Sequence, residues 1–253
     1  MKKKTQKIYL LKILAISFAL IALLGAGYYL KPKGDFISVQ QKSNDFFKVG
    51  FLPSTENSEP QENLPNSYLI KNFPFASQAP LTNWDELHDE ACEEASVILV
   101  NYYLNNLAMT NENMEQEIQK MIQWEIANWG THKDLSASET LQMAKKIYKL
   151  DGKVKKNGSI ELLKKEIASG NPVIVPTAGR LLGNPNFRSP GPVYHMVVAI
   201  GYYSNEIIVQ DVGTRNGNQY KYNSQIFLNA WHDWTGNSED ILSGEKNYLV
   251  LND

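Results

Sequence analysis

Tyr194–Asp211 reads YHMVVAIGYYSNEIIVQD. Two apolar, β-branched runs flank the polar pair Ser204-Asn205, which is the pattern of a hairpin. The spacing predicts antiparallel strands over 194–203 and 207–211, so that the start of the first and the end of the second share one edge of a sheet. That would bring His195 to Asp211. Parity sharpens the expectation. A two-residue turn at Ser204-Asn205 pairs positions whose numbers sum to 409, which sets odd positions opposite even ones and leaves His195 and Asp211 on opposite faces. If the two side chains meet, the hairpin must contain a bulge or an odd-length loop.

Working outward, Pro172–Pro176 (PVIVP) and Tyr248–Leu251 (YLVL) read as further strands. Upstream the pattern is helical. Ala91–Leu104, ACEEASVILVNYYL, places Ala91, Ala95, Ile98, Leu99 and Tyr102 at helical spacing with acids in the first turn. Further helices are expected at about 112–127, at 136–149 with Ser136 or Ser138 as cap and Glu139 following, and at 159–169 with Ser159 as cap and Gly170 as stop. Helices first and strands later, without regular alternation, predict an α+β fold. Between the strands at 172 and 194 lies TAGRLLGNPNFRSPGP, a Gly- and Pro-rich loop of the kind that lines or covers binding clefts.

The single cysteine, Cys92, falls at the start of the 91–104 helix, where the helix end favours a thiolate. A thiol hydrolase needs a base to activate the sulfur, a group to orient the base, and donors for the oxyanion. Of the four histidines, His195 is the best placed base: it opens a strongly apolar strand directly after the long loop. Asp211 is the orienting partner that the hairpin supplies. His132 and His232 read as surface or packing residues. Metal spacing is lacking around His88, Asp89, Glu90 and Cys92, and neither an H-E-x-x-H nor a G-x-S-x-G motif occurs, so no metal, cofactor or serine nucleophile is expected.

FPFASQAPLTNWDELHDEACEEAS (73–96), followed by PVYHMVVAIGYY and IIVQDVG, resembles the peptidases that cleave double-glycine leaders from bacteriocins and, more closely, their stand-alone C-39-like relatives. The resemblance runs over roughly 68–251. It implies a papain-like fold with Cys92, His195 and Asp211 as the catalytic triad and Gln78 donating to the oxyanion hole. Where the family often has Gly-Pro after the cysteine, this chain has Glu93-Glu94, and Asp85, Glu86, Asp89 and Glu90 crowd the approach. Acids that close oppose a thiolate unless they face solvent or bind a cationic substrate group.

The N-terminus carries a different signal. Lys2, Lys3, Lys4, Lys7 and Lys12 precede ILAISFALIALLGAGYYL, an uncharged run of 18 residues over 13–30, and no acid occurs before Asp35. That is close to membrane-spanning length, and lysines on one side predict a cytoplasmic tip and an exported remainder. A cleaved signal peptide with secretion is the alternative. The expected organisation is therefore a basic tip and anchor or signal over 1–30, a Pro-, Ser- and Asn-rich linker over 31–66, and one folded domain over 67–253. With the five lysines set aside, 20 basic residues face 27 acidic ones, which argues against nucleic acid as a partner. The expected partners are a peptide or protein substrate and, through the N-terminal helix, the membrane, with a monomeric ectodomain. A hydrolase acting on cell-wall peptides, or a weakly active binding domain of the same fold, are the competing functions.

Overall fold

The computed structural model describes residues 64–252. The expected anchor at 13–30, its signal-peptide alternative and nearly all of the 31–66 linker lie outside them. Among the described residues no helix is long and apolar enough to cross a membrane.

Over the described residues seven helices and seven strands follow one another as β1 (Ser67–Leu69), α1 (Glu86–Asp89), α2 (Cys92–Leu104), α3 (Asn111–Trp129), α4 (Ala137–Tyr148), β2 (Asp151–Lys155), α5 (Ile160–Ala168), β3 (Val173–Thr177), α6 (Gly179–Leu182), β4 (His195–Tyr203), β5 (Glu206–Gln210), β6 (Tyr220–Asn223), α7 (Ser224–Ala230) and β7 (Tyr248–Asn252). A 3₁₀ turn occupies Ser238–Ser243. All pairings are antiparallel in the order β2-β7-β3-β4-β5-β6, with β1 added to β4. The α+β expectation holds, with corrections: β2 and β6 were not anticipated, and β2 falls between helices rather than after them.

Local chemistry sets the helix boundaries. Ser136 and Glu139 form a reciprocal capping box at α4, Ser159 accepts from Leu162 N–H at α5, and Thr110 accepts from Asn113 N–H at α3. Helix α2 is unusual, because every residue from Cys92 to Tyr102 is buried. A helix buried on all sides belongs inside a domain, and this one packs against β4, α3 and α4. Its first turn therefore carries Glu93 and Glu94 into the interior.

The hairpin β4–β5 contains the irregularity that parity requires. Near the turn the pairs are Tyr203↔Glu206, Tyr202↔Ile207 and Gly201↔Ile208; beyond a register shift between Ala199 and Gly201 they become Ala199↔Val209 and Val198↔Gln210. One extra residue on β4 moves His195 onto the face of Asp211. Central strands β3 and β4 are buried along both faces, apart from Tyr203 at the end of β4, which anchors this edge in the core.

Candidate active site

His195 opens β4 and Asp211 follows β5 directly, so both side chains leave the same end of the sheet. His195 Nε2 and Asp211 Oδ1 stand 2.8 Å apart, with both side chains almost wholly buried. Asp211 Oδ1 also accepts from Gly213 N–H (3.1 Å), and Oδ2 accepts from Asn184 Nδ2 (2.9 Å) and the Tyr222 hydroxyl (2.5 Å). Burial pushes the Asp211 pKa up. The His195 charge and the hydrogen bonds from His195, Tyr222 and Asn184 outweigh it and hold the carboxyl below its usual range. An ionised carboxylate only accepts, so His195 Nε2 carries the proton and, in the neutral ring, Nδ1 keeps the basic lone pair.

Gly213 closes against this ring. A Cβ there would stand 2.7 Å from His195 Cε1 and 3.0 Å from Nε2, so only glycine lets the chain pass so close. Phe187 meets the ring edge-on at 5.3 Å between centroids. The turn after β5 and the 184–192 segment thus clamp the imidazole from two directions.

Cys92 is the first residue of α2, at the position the periodicity predicts. Its sulfur accepts from Met196 N–H at 3.3 Å, so it lies on the peptide bond that joins His195 to the next residue of β4. The thiol hydrogen, however, points to Glu93 Oε2 at 2.9 Å, and neither hydrogen bond of the sulfur reaches His195. Glu93 is itself held by Leu135 N–H, which donates to Oε1 at 2.7 Å. Burial first, then the Glu93 charge and hydrogen bond, then Asp134, push the Cys92 thiol well above its ordinary pKa; Met196 N–H opposes them weakly. The resting sulfur is a neutral thiol.

The other acids divide cleanly. Asp85, Glu86, Asp89 and Glu90 are exposed, and Glu93 and Glu94 are buried. Gln78 lines the same cleft as His195, but both amide hydrogens are engaged: Nε2 donates to His88 O (2.8 Å) and Asp89 O (3.0 Å), bracing the turn before Cys92. Oε1 has no hydrogen-bond partner among the described residues. The cleft encloses about 500 Å³ between the 184–192 loop, the 213–216 turn and the 84–90 segment. Arg188 spans it, donating to Asp89 Oδ2 at 3.5 Å and Trp84 O at 3.4 Å. The Gly- and Pro-rich loop is therefore a cleft wall.

Sequence reasoning missed the supporting groups. Asn184, Tyr222 and Gly213 come from a loop, from β6 and from a turn, and nothing in their spacing ties them to Asp211. His132, read as a surface or packing residue, has a side chain 12% exposed, packed with Nε2 3.1 Å from Glu94 Oε1. His88 is bound to Asp85 Oδ1 (2.6 Å), Glu115 Oε2 (2.9 Å) and Asn83, away from Cys92.

A cysteine thus opens a buried helix, and a histidine–aspartate pair stands on the antiparallel sheet packed against it. The sequence itself carries the assignment. Residues 70–239 match the profile of the Peptidase_C39 like family, and the chain belongs to that family. Among solved structures, a protein described as a C39-like peptidase, from Bacillus anthracis, is 18% identical over 75% of this chain and 98% of its own, with a TM-score of 0.51. At that identity the likeness establishes the fold. Xylellain, a cysteine protease from Xylella fastidiosa, is 12% identical over 75% of this chain and 87% of its own, and its TM-score of 0.31 is too low to carry an argument. No curated protein matches the chain.

Proposed function

We propose that this chain is a membrane-tethered, extracytoplasmic cysteine peptidase in which Cys92 is the nucleophile, His195 the base and Asp211 the residue that orients the base. The observation that carries this reading is the buried His195–Asp211 pair at 2.8 Å, placed on the peptide whose N–H meets the Cys92 sulfur. The sulfur would turn from Glu93 toward the cleft and give its proton to His195 Nδ1 as it attacks the scissile carbonyl. The oxyanion formed would be received by the Cys92 backbone N–H, one of the donors that a helix leaves unsatisfied at its first turn, and by Gln78 once an amide hydrogen is released. Collapse breaks the C–N bond, His195 returns the proton to the leaving amine, and a thioester remains on Cys92. Water, deprotonated by His195, then hydrolyses the thioester and restores the thiol. The N-terminal lysines and the uncharged 13–30 run support the tethered location.

A second reading is favoured by one specific contact. With its thiol bonded to Glu93, the domain could hold peptides, including cell-wall peptides, with little turnover. One experiment separates the two. The purified chain is offered unstructured peptides and peptidoglycan, and in parallel a peptide bearing a thiol-directed electrophile. The peptidase reading expects cleavage that falls by about 10³-fold or more in both Cys92→Ala and His195→Ala, with electrophile captured on Cys92. If Cys92 stays unlabelled at neutral pH and His195→Ala changes nothing, that reading is dropped.

A further inference from the structure

Two residues beyond Cys92, the first turn of α2 carries Glu94 into a second polar cluster. Glu94 is 1% exposed and Glu125, from α3, is 0% exposed. Glu125 has no hydrogen-bond partner on either oxygen among the described residues, and Glu94 meets only His132 Nε2, at 3.1 Å and outside hydrogen-bond geometry. The Lys133 N–H leans toward Glu125 without reaching hydrogen-bond geometry. Three chain segments thus converge: α2, α3, and the loop between α3 and α4. One donor atom from each lies within 4.8 Å of the other two. None of the three residues lines the catalytic cleft.

Two buried carboxylates without donors are costly, and a protein meets that cost by protonation, by a basic side chain or by a cation. Among the described residues the one basic side chain beside this pair is His132, on Glu94; no lysine or arginine reaches either carboxylate, and Lys133 pairs with Glu139. Burial pushes Glu94 up to about 8 and Glu125 up to about 10, so a shared proton relieves part of the charge. It leaves the His132 Nε2 contact with Glu94, at 3.1 Å, outside hydrogen-bond geometry. A divalent cation would satisfy both carboxylates and the imidazole together.

We propose that Glu94, Glu125 and His132 form a structural site for a divalent transition-metal ion of the zinc class. Imidazole plus carboxylate is a donor set for zinc, and three protein ligands with a water make up its tetrahedral coordination. Magnesium and calcium favour oxygen-only shells with more ligands. Bonds of about 2 Å place tetrahedral donors about 3.3 Å apart, so the 4.8 Å spread closes by side-chain adjustment of about 1.5 Å or less. The ion would pin α2 and α3 to the loop that delivers Leu135 to Glu93, a loop also held by the Tyr194 hydroxyl on Leu135 O at 2.8 Å. It would thereby stiffen the support beneath Cys92 without touching substrate.

The test uses the full chain, purified without a histidine tag, stripped with chelator and dialysed against zinc. Metal content by elemental mass spectrometry should be one zinc per chain in the wild type and unchanged in Cys92→Ala, which excludes a site on the thiol. His132→Ala and Glu125→Gln should each lose zinc affinity by about ten-fold or more. Chelator should lower the wild-type melting temperature and zinc should restore it. Cobalt-loaded wild type gives a measurement that needs no variant: tetrahedral visible bands without a thiolate charge-transfer band are expected. A wild type that holds no zinc after dialysis, zinc retained in full by folded His132→Ala, or a cobalt–thiolate band would each overturn the site.

Discussion

The Cys92 thiol donates its hydrogen bond to Glu93, the next residue in the chain, across 2.9 Å. Both sit in the first turn of a helix whose dipole favours anions, yet the interior opposes charge on either: burial and Asp134 push Glu93 well above its ordinary range against the hydrogen bond from Cys92, and burial and Glu93 push up the thiol. The helix end alone does not decide reactivity here. Burial, and after it the contact with Glu93, opposes it.

Glu93→Gln should therefore make the sulfur more reactive. The glutamine carbonyl can still accept from Leu135 N–H, while its amide donates to the sulfur and favours the thiolate that the carboxylate opposes. A thiolate is intrinsically less nucleophilic as its pKa falls, but the gain in its fraction is larger while the pKa stays above ambient pH. The net rise in iodoacetamide labelling at pH 7 should be about three-fold for each unit that the thiol pKa drops. Mass spectrometry of the alkylated Cys92 peptide against time measures it, and an unchanged rate would mean that Glu93 does not control the thiol.

Gly213→Ala tests how tightly the imidazole is held. The new Cβ would fall 2.7 Å from His195 Cε1 and 3.1 Å from Phe187 Cε1, so the ring or the 213–216 turn must shift. A misplacement of that order costs about 10²-fold in catalysis when it displaces a base. Peptide cleavage should drop by about that factor while circular dichroism and melting temperature change little. Wild-type cleavage rates in this variant would show that the ring tolerates the displacement.

Much of this geometry was legible in the sequence. The parity of Ser204-Asn205 demanded a bulge, and the register shift between Ala199 and Gly201 supplies it. Ser136 with Glu139 announced α4, and Ser159 announced α5. These signals are local, so a few residues carry them. Burial of Glu93 and Glu94 was not legible, because it depends on α2 being enclosed on all sides and on Leu135 arriving from 42 positions away. The same is true of Asp211: its alternation with the apolar β5 is local, but Asn184 and Tyr222 reach it through tertiary packing alone. Gln78 lines the cleft, and its hydrogen bonds to His88 O and Asp89 O lie beyond any pattern.

Acid should act on the fold through Asp211. Its folded pKa lies below the ordinary 3.8, so it contributes stability that is fully present above the unfolded value and is lost as pH falls through the folded one. Tyr222→Phe removes one donor to Oδ2 and should raise the folded value toward the ordinary one. That change should cost about 1.5–3 kcal/mol, the range for a hydrogen bond to a charged group. Stability measured by urea titration should decline from a higher pH in Tyr222→Phe than in wild type. In Asp211→Asn, which has no carboxylate to titrate, this part of the acid decline should vanish. Superimposable stability–pH curves for the wild type and Tyr222→Phe would remove the phenol from any role at Asp211.

Gln78 can act as a brace, as an oxyanion donor, or as both, and kinetics separate these. As a brace it holds His88 O and Asp89 O, and its loss should cost about 1–3 kcal/mol through the two hydrogen bonds removed from the turn before Cys92. As a donor it acts only on the charge that develops during attack, so its loss should lower kcat by about 10²–10³-fold and leave KM nearly unchanged. Gln78→Ala should show both effects, because one amide hydrogen can leave Asp89 O, the longer of its two contacts, when an oxyanion forms. Thermal melts report the brace, and steady-state kinetics on a peptide substrate report the donor. A melting temperature that falls while kcat holds would confine Gln78 to bracing and leave the Cys92 backbone N–H as the principal oxyanion donor.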